Sequence, residues 1–173
     1  LSMQYRNAAY TELSKIYFRQ KDFKRALEYS NKSLDFNRYN LDAYQLKAIM
    51  LRLQQNNNRH REMLDSILAI DPLNHFARFE KYLWQPTTEN KARFTDLIRN
   101  EMPQETYLEL AIWYFNIGRK EEAIKVLQLS PTNAEVLYWQ SFLENKSLNA
   151  DQLHPDLVFP FRSETAEVLK TLI

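Results

Sequence analysis

Apolar and polar positions follow each other along this chain with the three- and four-residue step of an amphipathic helix, and the stretches that carry the step come in pairs. Between Arg6 and Gln20, the positions Tyr10, Leu13, Ser14, Tyr17 and Phe18 share one face. Lys21-Asp22 breaks the run, and Phe23, Ala26, Leu27, Ser30, Ser33 and Leu34 line a second helix that closes on the polar turn Asn37-Arg38-Tyr39-Asn40. The pattern restarts at Leu41 with Ala43, Tyr44, Leu46, Ala48 and Leu51, breaks at Asn56-Asn57-Asn58, and resumes with Met63, Leu64, Ile67 and Leu68. Asp71-Pro72-Leu73-Asn74 ends it, since the residue before a proline is biased away from helix. A third pair is shorter: Phe76, Phe79, Tyr82 and Leu83 start a helix stopped by Pro86, and Phe94, Leu97 and Ile98 mark its partner.

The stretch Tyr107 to Pro131 holds the one glycine of the chain. Tyr107, Leu110, Ala111, Tyr114 and Phe115 precede Gly118; Ala123, Ile124 and Leu127 follow it, with Arg119, Lys120, Glu121, Glu122 and Lys125 expected to face away. A helix, a residue free to take φ > 0, and a second helix make an αα-hairpin. Asn133 to Glu144 reads as the first helix of a fifth pair, with Asn149 as the N-cap of a short turn. Pro155 to Phe161 is then extended and aromatic, and Ser163 caps a last helix, Glu164 to Leu172.

Residues 7–40 lie over residues 41–74 without a gap: Tyr10 falls on Tyr44, Ser14 on Ala48, Tyr17 on Leu51, Leu34 on Leu68 and Asn40 on Asn74. A helix–turn–helix period of about 34 residues is the signature of the tetratricopeptide repeat, and the chain resembles that family. The first copy supplies Tyr10, Leu13, Ser14, Tyr17, Ala26 and Ser33 where the family pattern asks for them, but has Lys21 for glycine and Arg38 for proline. The second supplies Tyr44, Ala48 and Pro72, with Lys47 and His60 where leucine and alanine are usual. The best match is Tyr107, Leu110, Ala111, Tyr114, Gly118, Ala123 and Leu127. The resemblance implies an all-α fold, an α-α superhelix of about five antiparallel helix pairs in one domain over residues 1–173. The units are 7–40, 41–74, 75–103, 104–131 and 132–154, and residues 155–173 form an extended tail and capping helix. The runs LELAIWYFNIGRKEEAIKVL, AEVLYWQSFL and DLVFPFRSETAEVLKTL also resemble the C-terminal repeat region of large bacterial proteins that carry an uncharacterised N-terminal domain.

In the resembled family, small residues let paired helices approach, and stacked pairs bury a continuous core. Partner peptides usually lie in the groove lined by the first helices. Carried over, the first unit offers Thr11, Lys15, Phe18 and Arg19, beside Ala8; the second offers Gln45, Ile49 and Arg52, beside Asp42 and Leu53. The third offers Phe79 and Leu83, the fourth Leu108, Ile112 and Phe115 with Glu105 and Asn116, and the fifth Tyr138 and Phe142. The wall is then mixed and basic at its N-terminal end and aromatic at the other, which marks a binding surface unless the tail with Phe159 and Phe161 fills it from within. The subtype that clamps a C-terminal carboxylate needs Lys and Asn where Thr11 and Lys15 stand, so that mode is not expected.

Composition narrows the classes further. One glycine in 173 residues, against about 7% in average proteins, leaves no P-loop, no dinucleotide loop and no nucleophile elbow. Without cysteine there are no disulfides and no thiolate ligands. His60, His75 and His154 are far apart in sequence and form no zinc motif, so no metal, cofactor or catalytic residue is expected. Arg52, Arg59, His60 and Arg61 form a local basic cluster, but base-reading positions do not recur and the net charge is only +1, so nucleic acid is not the expected partner. Trp84, Trp113 and Trp139 read as core or interface anchors. Residues 1–62 hold 12 Lys/Arg against 6 Asp/Glu, and residues 63–173 hold 11 against 16, a contrast able to steer partners. No apolar run nears the roughly 20 residues that span a bilayer. The chain opens on Leu1 and is read as part of a longer polypeptide; the cytoplasm is favoured, the compartment is left unknown, and a signal peptide removed from it would not show. The expected function is a non-catalytic protein-interaction module, or else a scaffold that positions an upstream domain of the same polypeptide. Pairing of two copies through the solenoid ends is a third option.

Overall fold

The computed structural model describes residues 3–99, 101–148 and 162–172, and all regular structure among them is α-helical. The helices are α1 (Met3–Arg19), α2 (Phe23–Phe36), α3 (Leu41–Leu53), α4 (Asn57–Ile70), α5 (His75–Trp84), α6 (Thr88–Thr95), α7 (Pro103–Asn116), α8 (Lys120–Leu127), α9 (Ala134–Glu144) and α10 (Ser163–Leu172). None of the helices among the described residues is long and apolar enough to cross a membrane. Packing gathers them into two compact units that divide between Leu97 and Ile98, α1–α6 in one and α7–α10 in the other.

In the first unit the repeat recurs bond by bond. Lys21 and Gln55, one period apart, both take a left-handed backbone, with φ of 62° and 57°. Each is followed by an N-cap whose side chain accepts a backbone N–H: Asp22 from Arg25 at 3.1 Å, Asn56 from Arg59 at 3.4 Å. Asn37 and Asp71 then end their helices in extended backbone, and their side chains accept from Tyr39 N at 3.1 Å and Leu73 N at 3.0 Å. Asn40 and Asn74 cap the next helices on Ala43 N and Ala77 N. Lys21 and Gln55 thus stand where the family uses glycine, at a cost of about 1–2 kcal/mol each for a side chain in the left-handed region.

Small residues set how closely paired helices approach. Ser14 donates to the Ala26 carbonyl at 2.8 Å and bonds Ser30 at 2.7 Å. One period later the same crossing is made by Ala48 and His60, and His60 Nδ1 lies 3.0 Å from the Ala48 carbonyl. Leu46, Ile49, Leu64, Ile67, Phe79 and Phe94 are fully buried around these crossings. Two expectations change here. Leu27 is 39% exposed and borders a cleft of about 380 Å³ between α2, α3 and α4, where Lys47 replaces leucine and donates to Asn31 at 2.9 Å. Leu97 and Ile98 lie beyond the end of α6, and Leu97 is 40% exposed, because the helix stops at Thr95 with Asp96 as its C-cap.

In the second unit, α7 starts on Pro103, whose missing N–H costs nothing at the first helical position. Gly118 takes φ 79° between α7 and α8, and Ala111 and Ala123 are buried at their crossing. Glu122 does not face away with its neighbours; it is buried and accepts from Arg119 Nε at 2.9 Å. α9 packs against both α8 and α10. The short turn expected at Asn149 and the Pro155 to Phe161 tail lie outside the described residues.

Gly118→Ala is expected to lower the unfolding free energy by about 1–2 kcal/mol, because its φ of 79° disfavours a Cβ, whereas Gln55→Gly at φ 57° should not lower it. Urea unfolding checks both, and equal losses would contradict the turn assignment. Ala123→Leu should cost about 1–3 kcal/mol by overpacking the α7–α8 crossing, seen as a fall in melting temperature.

Candidate functional site

In the first unit the candidate surface is the row of first helices, α1, α3 and α5, and most of its expected side chains are already engaged. Lys15 Nζ lies 2.9 Å from Glu12 on its own helix and 2.9 Å from Asp42 on α3. Partial burial opposes its charge, but the two carboxylates outweigh that and hold its pKa above the usual lysine value. Arg52 on α3 grips Glu80 on α5 with both ends of its fork, Nε to Oε2 at 2.7 Å and Nη2 to Oε1 at 3.1 Å, and the Glu80 side chain is fully buried. These bridges tie successive first helices together.

His60 reaches the same carboxylate from α4, with Nε2 at 3.7 Å from Glu80 Oε2. Its Nδ1 faces a carbonyl and so carries the proton, which leaves a lone pair at Nε2 directed toward Glu80. Burial lowers the His60 pKa, against the pull of Glu80 and the Ala48 carbonyl and with the help of Arg52. The basic cluster read from Arg52, Arg59, His60 and Arg61 therefore does not exist as a surface: two members turn inward, and only Arg59 and Arg61 are exposed.

Thr11, Phe18, Ile49 and Phe79 are buried, as are Leu108, Ile112 and Tyr138 in the second unit, so none of the seven meets solvent as a partner-facing side chain. Thr11 instead bonds Ser33 at 2.9 Å and Asn40 at 2.8 Å inside the first hairpin. Arg19 is exposed, and Gln45, Leu83, Phe115 and Phe142 are partly so. Phe115 and Phe142 meet edge-on at 5.7 Å, and both pack on Trp139, at 5.6 and 6.0 Å.

On the second unit α7 and α9 share a carboxylate patch. Arg162 Nη1 lies 2.8 Å from Glu105 and 3.9 Å from Glu135, and its Nη2 is 3.4 Å from Glu109. Burial pushes the Glu135 carboxyl upward, opposed by the hydroxyl of Thr165. Glu80, Glu135, Arg162 and Thr165 were not expected at the site. The available signal was a glutamate set inside each of two apolar helical runs, HFARFEKYLW and AEVLYWQSFLE. Among the described residues no group of three or more His, Asp and Glu is placed to hold a metal ion, and His154 lies outside them.

Residues 8–40, which span most of α1 and all of α2, match the family model of the tetratricopeptide repeat. No curated protein matches the chain. Among solved structures the chain is similar to the crystal structure of MamA protein, at 15% identity over 96% of this chain and 90% of that one, with a TM-score of 0.43. It is equally similar to a MamA mutant, at 15% identity over 99% and 100% of the two chains and the same TM-score of 0.43. Likeness at that level transfers no role. The first hairpin matches a tetratricopeptide repeat, and the described residues have the all-α class of helix pairs expected from the sequence.

A histidine whose folded pKa lies below its unfolded value of about 6.5 loses stability as pH falls through that value, because the unfolded chain takes up the proton first. Between pH 7.5 and 5.5 the melting temperature should therefore fall, and His60→Ala, which restores the usual small residue at this crossing, should flatten that slope. An unchanged slope in the variant would contradict the buried neutral imidazole.

Proposed function

We propose that this chain is a non-catalytic protein-interaction module that takes a peptide or protein along the surfaces of its first helices. The observation that supports this most directly is the bond-by-bond recurrence of the hairpin. It sets the same positions of α1 and α3 one period apart, with turns, caps and crossings all kept. A surface so built is rigid, and rigidity lowers the entropic cost of binding. With Lys15 and Arg52 held by Asp42 and Glu80, the side chains offered to a partner are Arg19, Gln45 and Leu83 in the first unit. The second unit offers Phe115 and Phe142. Partner recognition by this mixture is polar and aromatic rather than purely electrostatic, which suits protein over nucleic acid.

A second reading has support from one contact set: on α10, Glu164 accepts from Asn116 of α7 and Thr165 donates to Glu135 of α9. On that reading the repeats position an adjoining domain of the same polypeptide.

Affinity capture with the full chain, followed by isothermal titration with the captured protein, tests the first reading. Arg19→Glu, on an exposed side chain, should weaken binding at least tenfold without moving the melting temperature, whereas Lys120→Glu on α8 should leave binding unchanged. Turnover of a substrate by the chain, or equal binding by both variants, would overturn it.

A further inference from the structure

The helix α10 differs from every other second helix in how it is attached. Three residues join α1 to α2, α3 to α4, α5 to α6 and α7 to α8, but eighteen separate the end of α9 at Glu144 from the start of α10 at Ser163. Of its ten residues Thr165 and Val168 are buried, against Glu122, Ala123, Val126 and Leu127 in the eight-residue α8 of the same unit. A helix separated by eighteen residues from the one it packs on, and held there by polar contacts, resembles a ligand held in cis more than the closing half of a hairpin.

What holds it is a set of polar contacts with defined chemistry. Thr165 is fully buried and uses both functions of its hydroxyl, donating to Glu135 Oε1 at 2.7 Å and accepting from Trp139 Nε1 at 3.0 Å. Arg162 sits among Glu105, Glu109 and Glu135. Without a guanidinium, these three carboxylates from α7 and α9 would share one patch with no cation between them, and Glu135 is among the buried polar residues. Val168 adds the apolar contact. Thr165 and Val168, three residues apart, share one face of α10, and Arg162 stands just before the helix, its carbonyl accepting from Ala166 N at 3.1 Å. At its other contact, Glu164 accepts from Asn116 at 3.1 Å, near the end of α7.

We propose that the α7–α9 face is a recognition site for a helix preceded by an arginine, with a small hydroxyl residue three positions after that arginine and a branched apolar residue three further on, and that α10 with Arg162 is its cis occupant. A partner bearing the same pattern then displaces α10, and the site is regulated by its own chain. The inference rests on the reading of the first-helix surfaces as interaction surfaces.

The test uses the full chain and a fluorescein-labelled peptide of residues 162–172, followed by fluorescence anisotropy. Arg162→Glu in the chain weakens the cis occupant, so the peptide should bind that variant at least tenfold more tightly than the wild type. A peptide with valine in place of the Thr165 hydroxyl should lose at least tenfold on the same variant. In the wild-type chain, hydrogen exchange should be at least tenfold faster for the amides of α10 than for those of α7, α8 and α9. Protection of α10 equal to theirs would overturn the proposal, as would an Arg162→Glu chain that unfolds, since α10 would then be part of the core. Absence of peptide binding to a folded variant would overturn it as well. A protein captured through Arg19 with no peptide binding here sinks this inference alone; peptide binding with no external partner sinks the proposed function alone.

Discussion

The structure depends on the close crossing of paired helices at two small positions. Ser14 with Ala26, Ala48 with His60, and Ala111 with Ala123 occupy those positions in three hairpins. Where both residues are alanine, the backbones approach without help. Where one is polar, its side chain satisfies a carbonyl across the crossing, as Ser14 does for Ala26 and His60 for Ala48. His60 is larger than the crossing usually admits, and its ring extends toward Glu80 on α5. The carboxylate it meets is the one that Arg52 holds, so a packing substitution in the second hairpin is coupled to the bridge that fastens the third.

This coupling decides where function can reside. A charged residue on a repeat surface can face a partner or hold the frame, and Lys15 and Arg52 hold the frame. Bidentate, partly desolvated pairing of the Arg52–Glu80 kind is strongly destabilising to break from one side, because the remaining charge stays buried. Residues so committed cannot also turn over to a ligand. On the second unit the arrangement is reversed: the framework supplies the carboxylates, Glu105, Glu109 and Glu135, and the cation is Arg162, just before α10. Three-residue turns close the hairpins, whereas eighteen residues of sequence separate Glu144 from Ser163, where the helix beside that charge begins.

The helix pairs, their 34-residue period and the breaks at Lys21-Asp22, Asn37 to Asn40, Asn56 to Asn58 and Asp71 to Asn74 were legible in the sequence, because local polarity and turn chemistry write them directly; the capping bonds of Asp22, Asn40, Asn56 and Asn74 emerge from the structure. The left-handed backbone at Lys21 and Gln55 was not, since neither is the residue that conformation prefers; only their spacing of one period betrays it. The end of α6 before Leu97 was missed because apolar spacing continues past the point where the backbone turns away. Burial of Glu80, Glu122 and Glu135 was missed for a different reason. Polarity alone places a glutamate outside, and the partners that make its burial tolerable, Arg52 and Thr165, stand 28 and 30 residues distant. Of the candidate surface, family positions named the helices, but whether Ile49 or Leu108 faces core or solvent follows from the packing of neighbouring pairs, which periodicity within one helix does not contain.

The claim that the first helices are the working surface is tested most directly by hydrogen exchange of the full chain with and without its bound partner. The account predicts that added protection falls on α1 and α3 around Arg19 and Gln45, and on α5 near Leu83, with α2, α4 and α6 unchanged. Protection confined to α2, α4 and α6 would contradict it.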